Sequence, residues 1–253
     1  MTYTFSEFKE RLWRVFEMNS LSEYIDEGKA RLFYDFADIL LETNKSINLT
    51  AVKDDDGVIL KHLADSLIVA SHIPEGARVI DVGCGAGFPT FPLAIARPDL
   101  SITSLDSTEK KINFVRSTAK TLGLTNITAI SGRAEDIARG ELRESFDVAT
   151  ARAVASLDVL TELCMPFVKV GGTFAAMKAL RADSEIADTE ASGLFALLGG
   201  EKSPTVCETS LTDGGEETLS RAVVKVRKLT KTPPKYPRNY SQIIKASKSK
   251  NKR

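Results

Sequence analysis

A glycine-rich stretch directly after an apolar run is the part of this sequence that could do chemistry. Residues 78–82 are mostly apolar, and Gly83, Gly85 and Gly87 follow them with one residue between neighbours. Glycines at the end of a strand let the backbone turn sharply and approach a ligand without clashes from Cβ atoms. Asp106 closes a second apolar run 19 residues after the last of these glycines. An acid about 20 residues beyond such glycines is placed to accept hydrogen bonds from a ribose.

The start of the loop narrows the kind of ligand. The spacing is Gly-x-Gly-x-Gly rather than the Gly-x-Gly-x-x-Gly of dinucleotide dehydrogenases, and Asp81 precedes the first glycine. A carboxylate suits a ligand with an amino group and a sulfonium better than it suits a pyrophosphate. We therefore predict an S-adenosylmethionine site, with a tight turn that binds no ligand as the simpler alternative. Cys84 in the loop is interpreted as a small space-filling residue and not as a nucleophile.

Composition excludes several classes of protein. The 253 residues are 43% hydrophobic, as in ordinary globular proteins, and their apolar runs are far shorter than the ~20 residues of a membrane span. Residues 1–19 alternate in charge and do not resemble a signal peptide. Three scattered cysteines and two histidines form neither a disulfide framework nor a metal-ligand pattern. We expect a cytoplasmic protein without a metal or a membrane partner.

The charges are distributed unevenly along the chain. The last acidic residue is Glu217, so residues 1–217 hold 22 Lys and Arg against 34 Asp and Glu, a net charge of −12. Residues 218–253 hold the other 12 basic residues and no acid. A separate basic end is typical of a protein with a polyanionic partner, and a solubilising tail is the alternative.

Short apolar runs alternate with amphipathic stretches from residue 78 onward. The pattern predicts strands at 78–82, 102–105, 127–130, 146–151, 173–177, 205–209 and 222–226, and helices near 91–96, 108–122, 157–168 and 184–198. This alternation indicates an α/β fold with a mostly parallel sheet covered on both faces. Only turn-forming residues separate the last two strands, so we expect a terminal antiparallel hairpin. Seven strands ending in a hairpin match the Rossmann-like fold of class I methyltransferases.

The residues before the sheet follow a helical pattern. We predict one methyltransferase domain over 1–229, made of a helical N-terminal extension (1–75) and a Rossmann-like core (76–229), followed by a basic tail (230–253). In the helix predicted at 57–71, apolar side chains share one face, and His62, Asp65 and Ser66 lie on the opposite face.

Several motifs together resemble the bacterial small-subunit ribosomal RNA guanine-N7 methyltransferases, also called the glucose-inhibited division protein B family. The matching residues run in order along nearly the whole chain: Asn44, Ile47 to Thr50, His62, Asp65, Ser66, Asp81 to Pro89, Leu105 to Ser107, Arg133 to Glu135, Ala151 to Ala153, Ser156, Leu157, Met177, Lys178 and Tyr236 to Arg238. The resemblance implies methyl transfer from S-adenosylmethionine to N7 of one guanine in the 530 loop of 16S rRNA. It implies as partner the free rRNA, the small ribosomal subunit or an assembly intermediate, and we expect a monomer.

Two positions depart from the family pattern. Thr90 and Ala179 stand where the family usually has glycine. We expect Thr90 to cap the helix that follows it, and we expect neither residue to touch the cofactor-binding residues.

The resemblance also assigns roles to particular residues. It implies Gly83 and Phe88 at the methionine end of the cofactor, Asp106, Ser107 and Thr108 at the ribose, and Ala134 and Glu135 at the adenine. Asp81, Gly85 and Gly87 are cofactor-binding candidates from the chemistry of the glycine-rich stretch itself. Arg152 would close the pocket and would grip a carboxylate or an RNA phosphate as a candidate catalytic residue, with a structural ion pair as the alternative. Asn48, Thr50, His62, Asp65, Ser66, Lys178 and Arg238 would contact RNA or support the site from behind. A surface carboxylate at Glu135 and a surface pair of His62 with Asp65 are the simpler alternatives.

The chemistry of a ring nitrogen agrees with an absent motif. Guanine N7 attacks with an unprotonated lone pair, so in-line transfer needs positioning and desolvation but no obligatory general base. Methyltransferases for exocyclic amines carry an Asn/Asp-Pro-Pro-aromatic motif after the fourth strand, where this sequence has Thr150-Ala151-Arg152-Ala153.

Three other functions remain open from the sequence. They are a nicotinamide-dependent oxidoreductase, an RNA-binding ribosome-assembly protein on a methyltransferase fold, and a methyltransferase for another substrate.

The aromatic rings of Tyr236 and Tyr240 in the basic tail could stack on unpaired bases. Removing the tail after Leu229 is expected to weaken RNA binding and to leave cofactor binding unchanged.

Overall fold

A seven-stranded sheet forms the centre of the protein. The computed structural model describes residues 1–152, 155–179, 183–215 and 218–250. The strands have the order β3-β2-β1-β4-β5-β7-β6. The pairs of β7 with β5 and with β6 are antiparallel, and the other four pairs are parallel. Their bounds are β1 Arg78–Val82, β2 Ser101–Asp106, β3 Ile127–Ser131, β4 Phe146–Arg152, β5 Val168–Ala179, β6 Thr205–Thr212 and β7 Thr218–Arg227. The mostly parallel sheet and the terminal hairpin are confirmed, with β7 inside the hairpin and β6 at the edge of the sheet.

Hydrophobic clusters cover both faces of the sheet, as parallel strands require. Val79 and Val148 belong to one cluster and their neighbours Ile80 and Ala149 to the other, because successive side chains of a strand point to opposite faces. The helices of the core are α5 Thr90–Ala96, α6 Glu109–Thr121, α7 Ala134–Ile137, α8 Leu157–Cys164, α9 Asp183–Ala191 and α10 Leu194–Leu197. The helix predicted at 157–168 ends early, and strand β5 begins at Val168.

The N-terminal extension is helical, as predicted. Its long helices are α1 Phe5–Met18 and α2 Glu27–Asn44. Thr4 begins α1 with a capping box, in which its hydroxyl accepts from the backbone N–H of Glu7 and the Glu7 carboxylate accepts from Thr4. The apolar faces of α1 and α2 join the cluster that contains Val79, so the extension packs on one face of the sheet.

The segment that precedes the sheet differs from its prediction. Residues 55–67 form α3 Asp55–Gly57, a π-helical stretch Val58–Ala64 and α4 Asp65–Leu67. His62, Asp65 and Ser66 are buried, and so are the apolar residues of the same segment. The proposed surface pair of His62 with Asp65 is therefore wrong, because both side chains lie inside the protein. π-Helical turns occur frequently at functional sites.

The basic end of the chain packs on the domain. Arg238 makes a two-pronged ion pair with Glu162, whose side chain is 1% exposed. The guanidinium of Arg143 donates to the backbone oxygens of Tyr236 and Thr232. Tyr236 is 8% exposed, so its ring is not available to stack on RNA bases and that interpretation is wrong.

A final helix, α11 Tyr240–Lys250, follows these anchors. Ile243 is 2% exposed and packs in a small hydrophobic cluster with Val159 and Leu163 of α8. The sequence pattern did not indicate this helix, because Ile243 and Ile244 are its only large aliphatic side chains.

Among the described residues, no helix is both long enough and apolar enough to cross a lipid bilayer.

Candidate active site

The glycine loop lies at the carboxyl ends of β1 and β2, next to the point where the strand order reverses between β1 and β4. This position is where open α/β sheets bind ligands. Gly83, Gly85 and Gly87 have φ angles of 78°, 57° and 87°. Residues other than glycine rarely adopt such positive φ angles. The backbone N–H of Gly83 donates to the carbonyl oxygen of Leu105 at 2.7 Å, which ties the loop to the end of β2.

Two of the glycines have different tasks. A Cβ atom on Gly85 would meet only the carbonyl oxygen of Gly83, at 4.0 Å, so the space beside Gly85 is open to a ligand. A Cβ atom on Gly87 would overlap the ring of Phe91, so Gly87 is required by packing.

Asp106 connects the glycine loop to the following helix. Its Oδ2 accepts from the backbone N–H of Gly85 at 3.0 Å, and its Oδ1 accepts from the N–H of Thr108 at 2.8 Å. The residue is 9% exposed. Each carboxylate oxygen accepts more than one hydrogen bond, so both oxygens can still accept from the hydroxyls of a ribose.

One pocket brings together residues at the carboxyl ends of β1, β2 and β3. Gly83, Asp106, Ser107, Ala134 and Glu135 line it, whereas Thr108, which was also assigned to the ribose, does not. The rest of its wall consists of Val82, Leu105, Gly132, Arg133, Leu163 and Tyr240. The Glu135 side chain is buried, so the alternative of a surface carboxylate is wrong.

Asp81 lies beneath the loop with no exposed surface. Its Oδ2 accepts from the backbone N–H and the hydroxyl of Thr90, at 3.2 and 2.7 Å. Its Oδ1 has no hydrogen-bond partner among the described residues. Burial raises the pKa of Asp81 to about 7, although the hydrogen bonds from Thr90 oppose the shift. A buried acceptor without a partner is costly, and the amino group of a ligand would satisfy it.

Two expectations about Thr90 are wrong. Pro89 occupies the N-cap position of α5, and Thr90 is the first helical residue. The Thr90 hydroxyl contacts the Asp81 carboxylate and, at 2.9 Å, the hydroxyl of Ser104. Thr90 therefore touches a residue assigned to the cofactor, because the turn after β1 returns the chain over the end of that strand. Ala179 is the exposed last residue of β5.

Phe88 contacts two polar side chains that also contact each other, His62 and Arg152. Its ring stacks on the imidazole of His62 with centroids 4.3 Å apart and planes 24° apart. The guanidinium of Arg152 lies 4.9 Å from the centroid of the Phe88 ring, a cation–π contact. The π-helical segment and the end of β4 thus hold the last part of the glycine loop.

Arg152 forms a buried ion pair. Its Nη1 donates to the Asp65 carboxylate and to the Lys61 carbonyl oxygen, both at 3.0 Å, and its side chain is 13% exposed. The other oxygen of Asp65 accepts from Nε of Arg221 at 2.6 Å. Burial lowers the pKa of Arg152, and Asp65 opposes this shift. Arg152 therefore makes the structural ion pair that was the alternative to a role in the pocket. Arg221 is a second partner of Asp65 that the sequence did not indicate.

His62 is held as a neutral ring. Burial, followed by the charge of Arg152, lowers the pKa of His62 to about 3. Nδ1 lies 3.3 Å from Nη2 of Arg152, and Nε2 lies 2.7 Å from the hydroxyl of Thr50. Nδ1 also lies 3.1 Å from the carbonyl oxygen of Lys61, so this nitrogen faces a donor and an acceptor at once.

The remaining predicted residues are dispersed. Asn48 is exposed, and Asn44 instead orders this turn by accepting from the backbone N–H groups of Leu49 and Thr50. Ser66 is fully buried, which does not fit a direct contact with RNA. Lys178 pairs with Glu185 at 2.7 Å. Ala153 lies outside the described residues.

The pocket fits S-adenosylmethionine in its chemistry. Its lining includes the carboxylates of Asp106 and Glu135, while the open space at Gly85 and the unsatisfied Oδ1 of the buried Asp81 lie in the adjoining glycine loop and β1. In the described part of the chain, no three His, Cys, Asp or Glu side chains are grouped as metal ligands would be. Burial raises the pKa of the Cys84 thiol well above its ordinary value, which agrees with a space-filling role.

The fold and the pocket define a class I S-adenosylmethionine-dependent methyltransferase. The M. jannaschii TYW2 structure in complex with AdoMet shares the fold, with a TM-score of 0.50 and 15% identity over 65% of this chain and 77% of that chain. The family model described as "GidB: rRNA small subunit methyltransferase G" matches residues 29–210. The chain belongs to this family.

Curated relatives cover nearly the same length. The ribosomal RNA small subunit methyltransferase G of Clostridium beijerinckii is 44% identical over 216 residues, which span 84% of this chain and 88% of that protein. The protein of the same name from Clostridium perfringens is 41% identical over 231 residues, which span 90% of this chain and 94% of that protein.

Proposed function

We propose that this protein transfers the methyl group of S-adenosylmethionine to N7 of one guanine in the 530 loop of 16S rRNA. The name of the relatives supports small-subunit rRNA as the substrate. The choice of a ring nitrogen rests on the end of β4. There, Arg152 occupies the position from which an amine methyltransferase contacts its substrate, and both oxygens of the neighbouring Asp65 are engaged by arginines.

The described residues around this position suit a nucleophile that carries no proton. Arg152 is a cation, and His62 points both ring nitrogens at protein partners. S-adenosylmethionine supplies an electrophilic methyl group, and N7 supplies its own lone pair. The chain has to bind the cofactor, orient the base and exclude water. Phe88, held by contacts with His62 and Arg152, is an apolar wall suited to that task.

The surface of α11 supports a polyanionic substrate. Lys245 and Lys248 are exposed on this helix, and Lys231 and Lys235 are exposed on the segment that leads to it. Their charges can neutralise phosphates, which would otherwise be repelled by an acidic body. We further propose that the protein acts as a monomer in the cytoplasm, on free rRNA, an assembly intermediate or the small subunit.

The test is incubation with labelled S-adenosylmethionine and unmodified 16S rRNA, either free or assembled into small subunits. An N7-methylguanine carries a fixed positive charge that makes its ring and glycosidic bond labile. Borohydride and aniline should therefore cut the product strand at one guanine of the 530 loop. Label on an exocyclic amine, on a ribose oxygen or on protein would refute the proposal. Cofactor binding without transfer to either RNA form would favour the alternative of a non-catalytic assembly protein.

A further inference from the structure

The C-terminal segment reaches the cofactor pocket. Tyr240, the first residue of α11, is part of the pocket wall, and so are Ala134 and Glu135 of α7. The Tyr240 ring is packed against the guanidinium of Arg133, 5.5 Å from its centroid, and the residue is 38% exposed. The Tyr240 ring thus lies beside Ala134 and Glu135, the residues after β3 that are assigned to the adenine.

The position of Tyr240 is fixed from both sides along the chain. On its N-terminal side, Nη2 of Arg139 donates to the Pro237 carbonyl oxygen at 2.9 Å and to the Asn239 side chain at 3.0 Å. On its C-terminal side, Ile243 is buried against α8. These anchors hold the ring at the mouth of the pocket without any help from RNA.

We propose that Tyr240 contacts the adenine of bound S-adenosylmethionine, so that the C-terminal segment completes the cofactor site. The proposal rests on the assignment of this pocket to the cofactor. An aromatic ring offers a purine a large apolar face at little conformational cost, and stacking between them adds to the burial of both. Arg133 lies against the same ring and extends the wall with a planar cation.

The experiment measures the binding of S-adenosylmethionine and of adenosine alone by calorimetry, with the full-length chain. Tyr240→Leu keeps an apolar side chain but removes the aromatic face, and Tyr240→Phe keeps that face. Ser241→Ala, at the next and exposed position of α11, is the matched control. Asp106→Ala tests the pocket assignment independently, and the melting temperature of each variant verifies folding.

We expect Tyr240→Leu to weaken the binding of both ligands by about tenfold, because the lost contact is with the base they share. Tyr240→Phe and Ser241→Ala should bind both ligands as the unmodified protein does. If Asp106→Ala loses affinity while Tyr240→Leu does not, the proposal for Tyr240 is wrong and the pocket assignment stands. If neither variant loses affinity, the pocket assignment is wrong and the proposal fails with it.

Discussion

The buried pair of Asp81 and Thr90 should make cofactor binding depend on pH. Oδ1 of Asp81 lacks a partner among the described residues, and a cationic amino group there would favour the ionised carboxylate. Without ligand, burial raises the pKa of Asp81 to about 7. Thr90→Val removes the hydroxyl that donates to Oδ2 at 2.7 Å and keeps the size of the side chain. Thr90→Ser keeps the hydroxyl and is the matched control.

The size of the effect follows from the pKa. With a pKa of about 7, roughly a tenth of the carboxyl is ionised at pH 6 and roughly nine tenths at pH 8, so affinity should rise about tenfold between them. A hydrogen bond to a charged group contributes about 1.5–3 kcal/mol, so its loss in Thr90→Val should move the midpoint upward by about one to two pH units.

The sign follows from proton linkage. The folded pKa of Asp81 lies above its ordinary value of 3.8, so the unliganded folded state binds more protons than the unfolded state. Its contribution to folding stability is therefore lost as the pH rises through about 7. A ligand that pairs with the carboxylate lowers this pKa again, and binding should release protons near neutral pH.

Calorimetry in buffers of different ionisation enthalpy measures both the affinity for the cofactor and the number of protons released on binding. The amino group of the ligand also titrates, near pH 8, so the variants are compared with each other at each pH. At pH 7 we expect Thr90→Val to release more protons on binding than the unmodified protein. Thr90→Ser should release about as many protons as the unmodified protein. Identical proton release and identical pH profiles in all three proteins would refute the coupling of Asp81 to the cofactor.

Three further predictions concern the buried ion pair and the C-terminal segment. Arg152→Ala should lower the free energy of unfolding by about 1–3 kcal/mol, because one oxygen of the buried Asp65 carboxylate loses its donor while Arg221 still pairs with the other; an unchanged denaturation midpoint would contradict this. A chain that ends at Leu229 should melt at a lower temperature and bind S-adenosylmethionine more weakly, contrary to the expectation from sequence, and unaltered Kd values would argue against a role of the segment in the site. Replacing both Lys245 and Lys248 with Ala should reduce the log–log salt slope of rRNA binding by ~0.7 for each lost phosphate contact, whereas Lys202→Ala, before β6 at the far edge of the sheet, should not.

The glycine loop and the hairpin were predictable because local chemistry dictates them. Gly83, Gly85 and Gly87 sit in backbone conformations that other residues avoid, so their spacing alone indicates the turn. The two runs at the end of the sheet are separated by turn-forming residues, and strands joined in this way pair with each other. In both cases the residues that determine the structure are neighbours in the sequence.

The contacts that complete the site join distant parts of the chain. Asp65 binds Arg152 and Arg221, which lie 87 and 156 residues further along. Tyr240 reaches the pocket only because Glu162 and the aliphatic residues of α8 hold the C-terminal segment. A pattern of residue types within one segment carries no information about such partners. The basic charge of residues 230–253 suggested a tail, and it did not reveal that Arg238 anchors this segment to Glu162.

His62 and Asp81, which both lie next to the glycine loop, differ in their pKa in a way that makes the pH test specific. His62, in contact with Phe88, has a pKa lowered to about 3 by burial and by Arg152, so it stays neutral throughout the physiological range. Its folded pKa lies below its ordinary value of 6.5, so its contribution to stability is complete above that value and is lost as the pH falls toward 3. Asp81 instead titrates near neutrality. A change in affinity between pH 6 and 8 that responds to Thr90→Val therefore reports on Asp81, because the ring stacked on Phe88 does not change its charge in that interval.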